Sequence, residues 1–393
     1  MSAFPDRAAA ILDRLVAFDT TSHKPNIELI EYVASYLGEH GVEARVVSGP
    51  STGKADLLAT IGPRDVAGIV LSGHTDVVPA VAEDWTDPPF RLAERDGKLF
   101  GRGTADMKGF IALVLARVPE LLASDLKAPV HLAFSYDEEV GCLGVRELIP
   151  VLATLPVRPR LCIVGEPTGM SVVNGHKGKF AFRTRVRGLG CHSGLAPQGV
   201  NAVEYAAELI AHMKQMARRF AADGPFEEGF GVPHSTVHVG TIQGGTALNI
   251  VPDECVFDWE IRYIPAHDGA AIAEDVRSFA RDSLEPRMQT VSKACGIDFD
   301  TTIDYPGLQI PADDDAVQFV QGLAGTNALG KVDFGTEAGL FQRDAGIPTV
   351  VCGPGYISDA HKPDEFIAKD QFAAGDRFLE RLTARLIAGG VPR

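Results

Sequence analysis

A chain of 393 residues exceeds what one ordinary core organises, so about two or three domains are expected. Hydrophobic residues make up 45% and charged residues 23%, the mix of a globular protein. The formal net charge of −15, with the basic residues scattered, argues against nucleic acid and anionic membrane as partners and leaves small molecules.

In chain order, Ile11, Leu12, Leu15 and Val16 recur at helical spacing within 4–18, and Ile30, Val33 and Ala34 repeat the pattern over 27–37. Residues 1–7 hold Pro5 and Asp6 and no apolar signal core, so no leader is expected. Strand-like runs follow at 44–47, 56–61 and 68–72, the last nearly all apolar, as befits a strand covered on both faces. His74 and Asp76 come just past its end, where open α/β sheets place their ligands. Residues 85–98 read as a polar loop. A glycine turn, Gly101-Arg102-Gly103-Thr104-Ala105-Asp106, then leads into an apolar helix over 110–122. A buried strand at 130–135 delivers Asp137-Glu138-Glu139, and another at 161–165 delivers Glu166.

After Gly178 the composition shifts. Strands at 179–187, 236–242, 255–263 and 297–303, with helices at 201–220 and 269–284, make a compact α+β unit inserted in the chain. The first pattern resumes near Tyr305, with helices at 314–323, 337–345 and 369–387 and a buried strand at 347–352 followed by a loop bearing His361. The cysteines Cys142, Cys162, Cys191, Cys255, Cys295 and Cys352 have no paired spacing and read as reduced thiols of a cytoplasmic protein.

The strand ends, with the glycine turn, thus release His74, Asp76, Asp106, Glu138, Glu139, Glu166 and His361. Two imidazoles and several oxygens suit zinc, manganese or cobalt without a thiolate. The carboxylates are too many for one tetrahedral ion, which points to two metals about 3.5–4 Å apart sharing a bridging carboxylate. Each residue has a plainer alternative: Asp106 as a helix cap, Glu139 or Asp137 as a solvated charge, Glu166 as a turn residue, His361 as a surface histidine. Together these would require coincidence at several separate strand ends.

The motifs Gly73-His74-Thr75-Asp76-Val77-Val78-Pro79, Gly101 through Gly109, Asp137-Glu138-Glu139-Val140-Gly141, Gly165-Glu166-Pro167-Thr168 and Ala360-His361-Lys362-Pro363-Asp364-Glu365 resemble the di-zinc aminoacylase and carboxypeptidase family, in the family order and over essentially the whole chain. The resemblance implies an α/β/α sandwich with a mixed, mostly parallel sheet (1–178 and 305–393) and an inserted ferredoxin-like lid and dimerisation domain (179–304). It implies that His74, Asp106 and Glu166 hold one metal and Asp106, Glu139 and His361 the other. Asp76 would orient His74, Glu138 would be the general base, and the Asp106–Met107 peptide would be cis. His192 would donate to the tetrahedral oxyanion across a homodimer interface, and Asn249 and Arg262 would meet the substrate carboxylate. A structural loop role for His192, a turn for Asn249 and an ion pair for Arg262 remain open beside these.

The stretch Asp333-Phe334-Gly335-Thr336-Glu337-Ala338 resembles the acetylornithine deacetylase branch, which implies removal of acetyl from N2-acetyl-L-ornithine. Glu337 could meet the substrate's amine or could simply sit at a helix N-terminus favoured by the dipole. Another acyl-amino-acid deacylase, a desuccinylase or a dipeptidase would share the same machinery. A metal-free binding module is a further alternative, disfavoured because an unused acidic cluster only adds repulsion.

Overall fold

The computed structural model describes residues 5–392; the leader reading of the first four residues, and Phe4 in the opening helix, lie outside the described residues. The chain forms two compact units. One comprises the residues up to Gly175, Leu308–Lys331 and the stretch from Thr336 onward, and the other comprises His176–Gly307 with Val332–Gly335.

The first unit is built on a nine-stranded sheet. Its central strands run Val130–Ser135, Ile69–His74, Leu161–Pro167, Thr349–Gly353 and are mutually parallel. Ala55–Ile61 and Ala44–Ser48 extend one side antiparallel, and Val172–His176 pairs antiparallel on the other. The sheet is therefore mixed, with its parallel strands at the centre. Alternate residues explain the layers. Ile69, Leu71, Leu132 and Phe134 join the helices Asp6–Val16, Ile27–Glu39, Lys108–Ala123, Asp315–Ala324 and Lys369–Ile387 in one core. The helices Val145–Leu152 and Ala338–Asp344 pack on these strands without joining that core.

The segment 85–98 is only partly a loop. Ala93–Arg95 pairs with Lys98–Phe100, which pairs in turn with Phe366–Ala368, giving a small antiparallel sheet. The helix Val145–Leu152 and the strand Val172–His176 were not expected from the sequence pattern. The first is amphipathic but only 8 residues long, and Pro150 inside it is a residue that ordinarily breaks a helix.

The second unit is a four-stranded antiparallel sheet in the order Thr236–Gly244, Glu254–Tyr263, Gly178–Arg187, Gly296–Tyr305. With Ala202–Asp223 and Gly269–Phe279 covering one face through Leu209, Met213, Ile272 and Val276, this is the ferredoxin-like β-α-β-β-α-β arrangement. Both helices start on side-chain caps, Asn201 accepting from the amides of Val203 and Glu204, and Asp268 from those of Ala270 and Ala271. Residues 332–335 sit here because Asp333 lies 2.9 Å from the Lys177 ammonium and accepts from the amides of Gly231 and Val232.

Candidate metal centre

The carboxyl ends of the parallel strands converge in the first unit. His74 closes the strand Ile69–His74, with Ser135 beside it in register at the end of Val130–Ser135, so the segment bearing Asp137, Glu138 and Glu139 leaves the sheet next to it. Gly103, at φ 83°, turns the chain into the helix Lys108–Ala123; a Cβ there would stand 2.7 Å from the Val77 side chain. Asp106 follows at the helix entrance, and its peptide bond to Met107 is cis.

The two imidazoles meet on Asp106. His74 Nε2 is 2.9 Å from its Oδ1, and His361 Nε2 is 3.0 Å from its Oδ2. His74 Nε2 is also 3.8 Å from Glu166 Oε1, while His361 Nε2 is 3.0 Å from Glu139 Oε1. The distances thus sort the residues into His74–Asp106–Glu166 and His361–Asp106–Glu139, with Asp106 common to both. Ligand atoms of His74, Glu138 and Glu166 lie within 4.8 Å of one another, as do those of His74, Asp106 and Glu139. His74, Asp106 and Glu166 are buried; His361 is 44% exposed and, like Asp137, adopts a left-handed φ that is uncommon for non-glycine residues.

Electrostatics follow from crowding. Burial, reinforced by Asp106, lifts the carboxyls of Glu139 and Glu166 above the ordinary range; burial and the neighbouring Glu139 and Asp76 do the same to Glu138. Burial acts on Asp106 too, but the His361 and His74 contacts overcome it and hold that carboxyl low. Contact with Asp106 and Glu139 pushes the His361 imidazole up to about 10. Burial opposes charging of His74, yet its bonds to Asp106 and Asp76 leave it raised. A cluster that draws protons onto both imidazoles and three carboxyls favours added positive charge, and divalent cations supply it. The donors fit such ions: imidazole nitrogens and carboxylate oxygens, with the nearby Cys142 thiol held protonated by burial.

Asp76 meets His74 as expected, but more closely through its main chain than through its carboxylate. His74 Nδ1 is 2.9 Å from the main-chain carbonyl of Asp76 but 3.5 Å from its carboxylate. The carboxylate instead accepts from the amides of Glu138 (3.0 Å) and Glu139 (3.3 Å) and from Ser22 Oγ (2.7 Å). Sequence reasoning missed Ser22 and also Lys54, which is buried and holds Asp137 at 2.5 Å.

Glu337 lies in the wall of the sheet. It is buried and accepts from Ser72 Oγ (2.5 Å) and Ser135 Oγ (2.7 Å), so its oxygens are engaged by the protein rather than offered to an amine. In the second unit, His192 accepts from the Gly194 amide through Nδ1 and forms a bridge with Ile250, and the Ser193 amide donates to the carbonyl of Asn249. Arg262 donates to Glu260 and to the Tyr305 hydroxyl.

Residues 70–385 match the sequence model of peptidase family M20/M25/M40. The chain belongs to that family. As a member of peptidase family M20/M25/M40 it is a metal-dependent hydrolase. It is 36% identical over 352 residues to an acetylornithine deacetylase of Photorhabdus laumondii, covering 89% of this chain and 88% of that relative. Solved structures that it resembles include a tripeptidase from Staphylococcus aureus (TM-score 0.75, 20% identity, 98% of this chain and 99% of that one covered) and a dinuclear metal binding peptidase of the M20 family from Bacillus subtilis (TM-score 0.65, 15% identity, 99% of each covered). No helix among the described residues is long and apolar enough to cross a membrane.

Proposed function

We propose that the protein removes the acetyl group from N2-acetyl-L-ornithine, giving L-ornithine and acetate, a step of arginine biosynthesis. The observation that carries this reading is the pair of imidazoles on opposite oxygens of Asp106, flanked by Glu166 and Glu139. His74, Asp106 and Glu166 would hold one divalent ion, and Asp106, Glu139 and His361 a second, with zinc preferred and cobalt or manganese also suited to the donors. Such ions, when bound, acidify water and polarise an acyl carbonyl.

Glu138 takes the proton of the attacking water and returns it to the leaving amine. Its carboxyl is lifted above the ordinary carboxylate range by burial and by neighbouring carboxylates, the direction that suits a group that must both accept and donate. Asp76 fixes the amides of Glu138 and Glu139 and so sets where that carboxylate points. His192 donates to the developing oxyanion, and Asn249 and Arg262 meet the substrate carboxylate. A homodimer with the inserted unit as lid and dimerisation domain, and a cytoplasmic setting consistent with six free cysteines, belong to the same reading.

The substrate is supported by the 36% identity to an acetylornithine deacetylase and by the Thr336-Glu337-Ala338 segment. The test is a panel of N-acyl amino acids and dipeptides on the metal-loaded enzyme. N-acetylornithine should give the highest kcat/KM; another acyl group or a dipeptide turned over far faster would overturn the substrate while leaving the metal chemistry standing.

A further inference from the structure

We infer that Glu365, paired with Arg102, is a positioning residue that locks the bridging carboxylate Asp106 to the loop of His361. The inference rests on the assignment of these two residues as metal ligands. It begins with the small sheet. Phe366 pairs with Phe100, and one step further the Gly101 amide donates to the carbonyl of Glu365 at 2.9 Å, so this register sets Glu365 opposite the glycine turn. Its side chain then reaches into that turn. Glu365 Oε1 accepts from the amides of Ala105 (3.0 Å) and Asp106 (3.1 Å), and the side chain is 1% exposed. The peptide groups that aim Asp106 are therefore held by a residue four positions beyond His361.

The other oxygen carries the second half of the device. Glu365 Oε2 accepts from Arg102 Nη1 at 2.7 Å, and Arg102 is 3% exposed. The guanidinium also donates to the carbonyl of Pro79 at 3.1 Å and lies 3.4 Å from that of Lys362. Pro79 ends the motif that carries His74, and Lys362 follows His361 directly. A planar group with several fixed donors can reach three segments at once, which an ammonium could not. Three ligand-bearing segments, around His74, Asp106 and His361, so share one buried ion pair that itself touches none of the imidazoles. Neither member is used by the proposed chemistry, and the pair needs no ion to form.

The consequence is that the two imidazoles are held to Asp106 by protein contacts before any cation arrives. Removing the pair should loosen the shared carboxylate and with it the affinity for the ions. Buried ion pairs can often be replaced by apolar side chains without loss of fold, whereas removing one partner leaves a buried charge. The informative variant is therefore the double substitution Arg102→Met with Glu365→Leu; Glu365→Gln, which keeps one acceptor oxygen, is the second. Each metal-free protein is checked by thermal unfolding and then titrated with Zn(II) by calorimetry in competition with a chelator. The expected result is cooperative unfolding with zinc affinity lowered about 10–100-fold. Where the double variant does not fold, Glu365→Gln is read in the same way. A folded variant that binds two equivalents as tightly as the unaltered enzyme overturns the inference. An unaltered enzyme that binds no zinc overturns instead the assignment on which it rests.

Discussion

Replacing Asp76 by Ala separates two ways in which this buried carboxylate could serve the site. Its oxygens accept from the amides of Glu138 and Glu139 at 3.0 and 3.3 Å and from Ser22 at 2.7 Å. Ser22 has a nearby alternative in the carbonyl of Val77, so the two amides carry most of the loss. Hydrogen bonds to a charged group contribute about 1.5–3 kcal/mol each, which places about 3–6 kcal/mol on the segment that bears the general base. The segment should shift to find other acceptors rather than leave both amides bare, and Glu138 shifts with it. His74, by contrast, keeps the main-chain carbonyl at 2.9 Å on Nδ1, so its ring should stay in place. The expected outcome is a fall in kcat of about 10–100-fold, with the His74-side ion retained and KM little changed. Steady-state kinetics on N-acetylornithine, with zinc counted by calorimetry, measures both quantities. An unchanged kcat would refute the reasoning, as would loss of the His74-side ion, which would show the carboxylate acting through the imidazole.

Glu138→Gln should keep both ions and lower kcat about 10²–10⁴-fold, as expected for loss of a general acid–base group; near-full turnover with full metal content would remove Glu138 from that role. Glu337→Ala should strand the hydroxyl of Ser135, costing about 1–3 kcal/mol in chemical denaturation, while Ser72 keeps the carbonyl of Ala133 at 3.3 Å, and should leave KM for N-acetylornithine within about threefold. A KM raised far beyond that would return Glu337 to the substrate's side chain. Acid should destabilise the fold through His131, whose burial depresses its imidazole to about 4. Between pH 6.5 and 4 the unfolded chain binds the proton that the folded one refuses, so stability falls as pH falls. This amounts to about 2 kcal/mol between pH 7 and pH 5. His131→Gln should flatten that part of the denaturation-versus-pH curve, and a slope equal to that of the unaltered protein would show the group is not responsible.

The chemistry-bearing residues were legible because each is released at the end of an apolar run or at a glycine turn, and such punctuation is local. Long periodic helices and the ferredoxin-like pattern were legible for the same reason. What stayed hidden depends on pairs far apart in the chain. Ser22 finds Asp76 across 54 residues, and Glu365 finds the Asp106 amide across 259. Lys54 and Asp137 meet only because their segments leave neighbouring parts of one unit. No spacing rule encodes these contacts. Glu365 was visible within a motif, yet its partner is a backbone amide, which sequence cannot single out. The strand Ala93–Arg95 is hidden within an expected loop, because three residues between polar stretches carry no periodic signal.

Asp76 shows where a spacing rule stops holding. Side chains two apart share a face only while the backbone remains extended, and that rule placed Asp76 beside His74. The strand Ile69–His74 ends at His74. Beyond it the Thr75 amide still donates to the carbonyl of Ser135, keeping the segment against its neighbour, and the chain then presents the Asp76 carbonyl, closer than its carboxylate, to the imidazole. The carboxylate is left to face the next segment, which is the one carrying Glu138 and Glu139. The strand end thus gives one residue two jobs: its main chain orients a ligand, and its side chain fixes the base. Substituting the side chain removes the second and leaves the closer, main-chain contact of the first in place, which is why the kinetic and metal-binding consequences of Asp76→Ala are expected to part company.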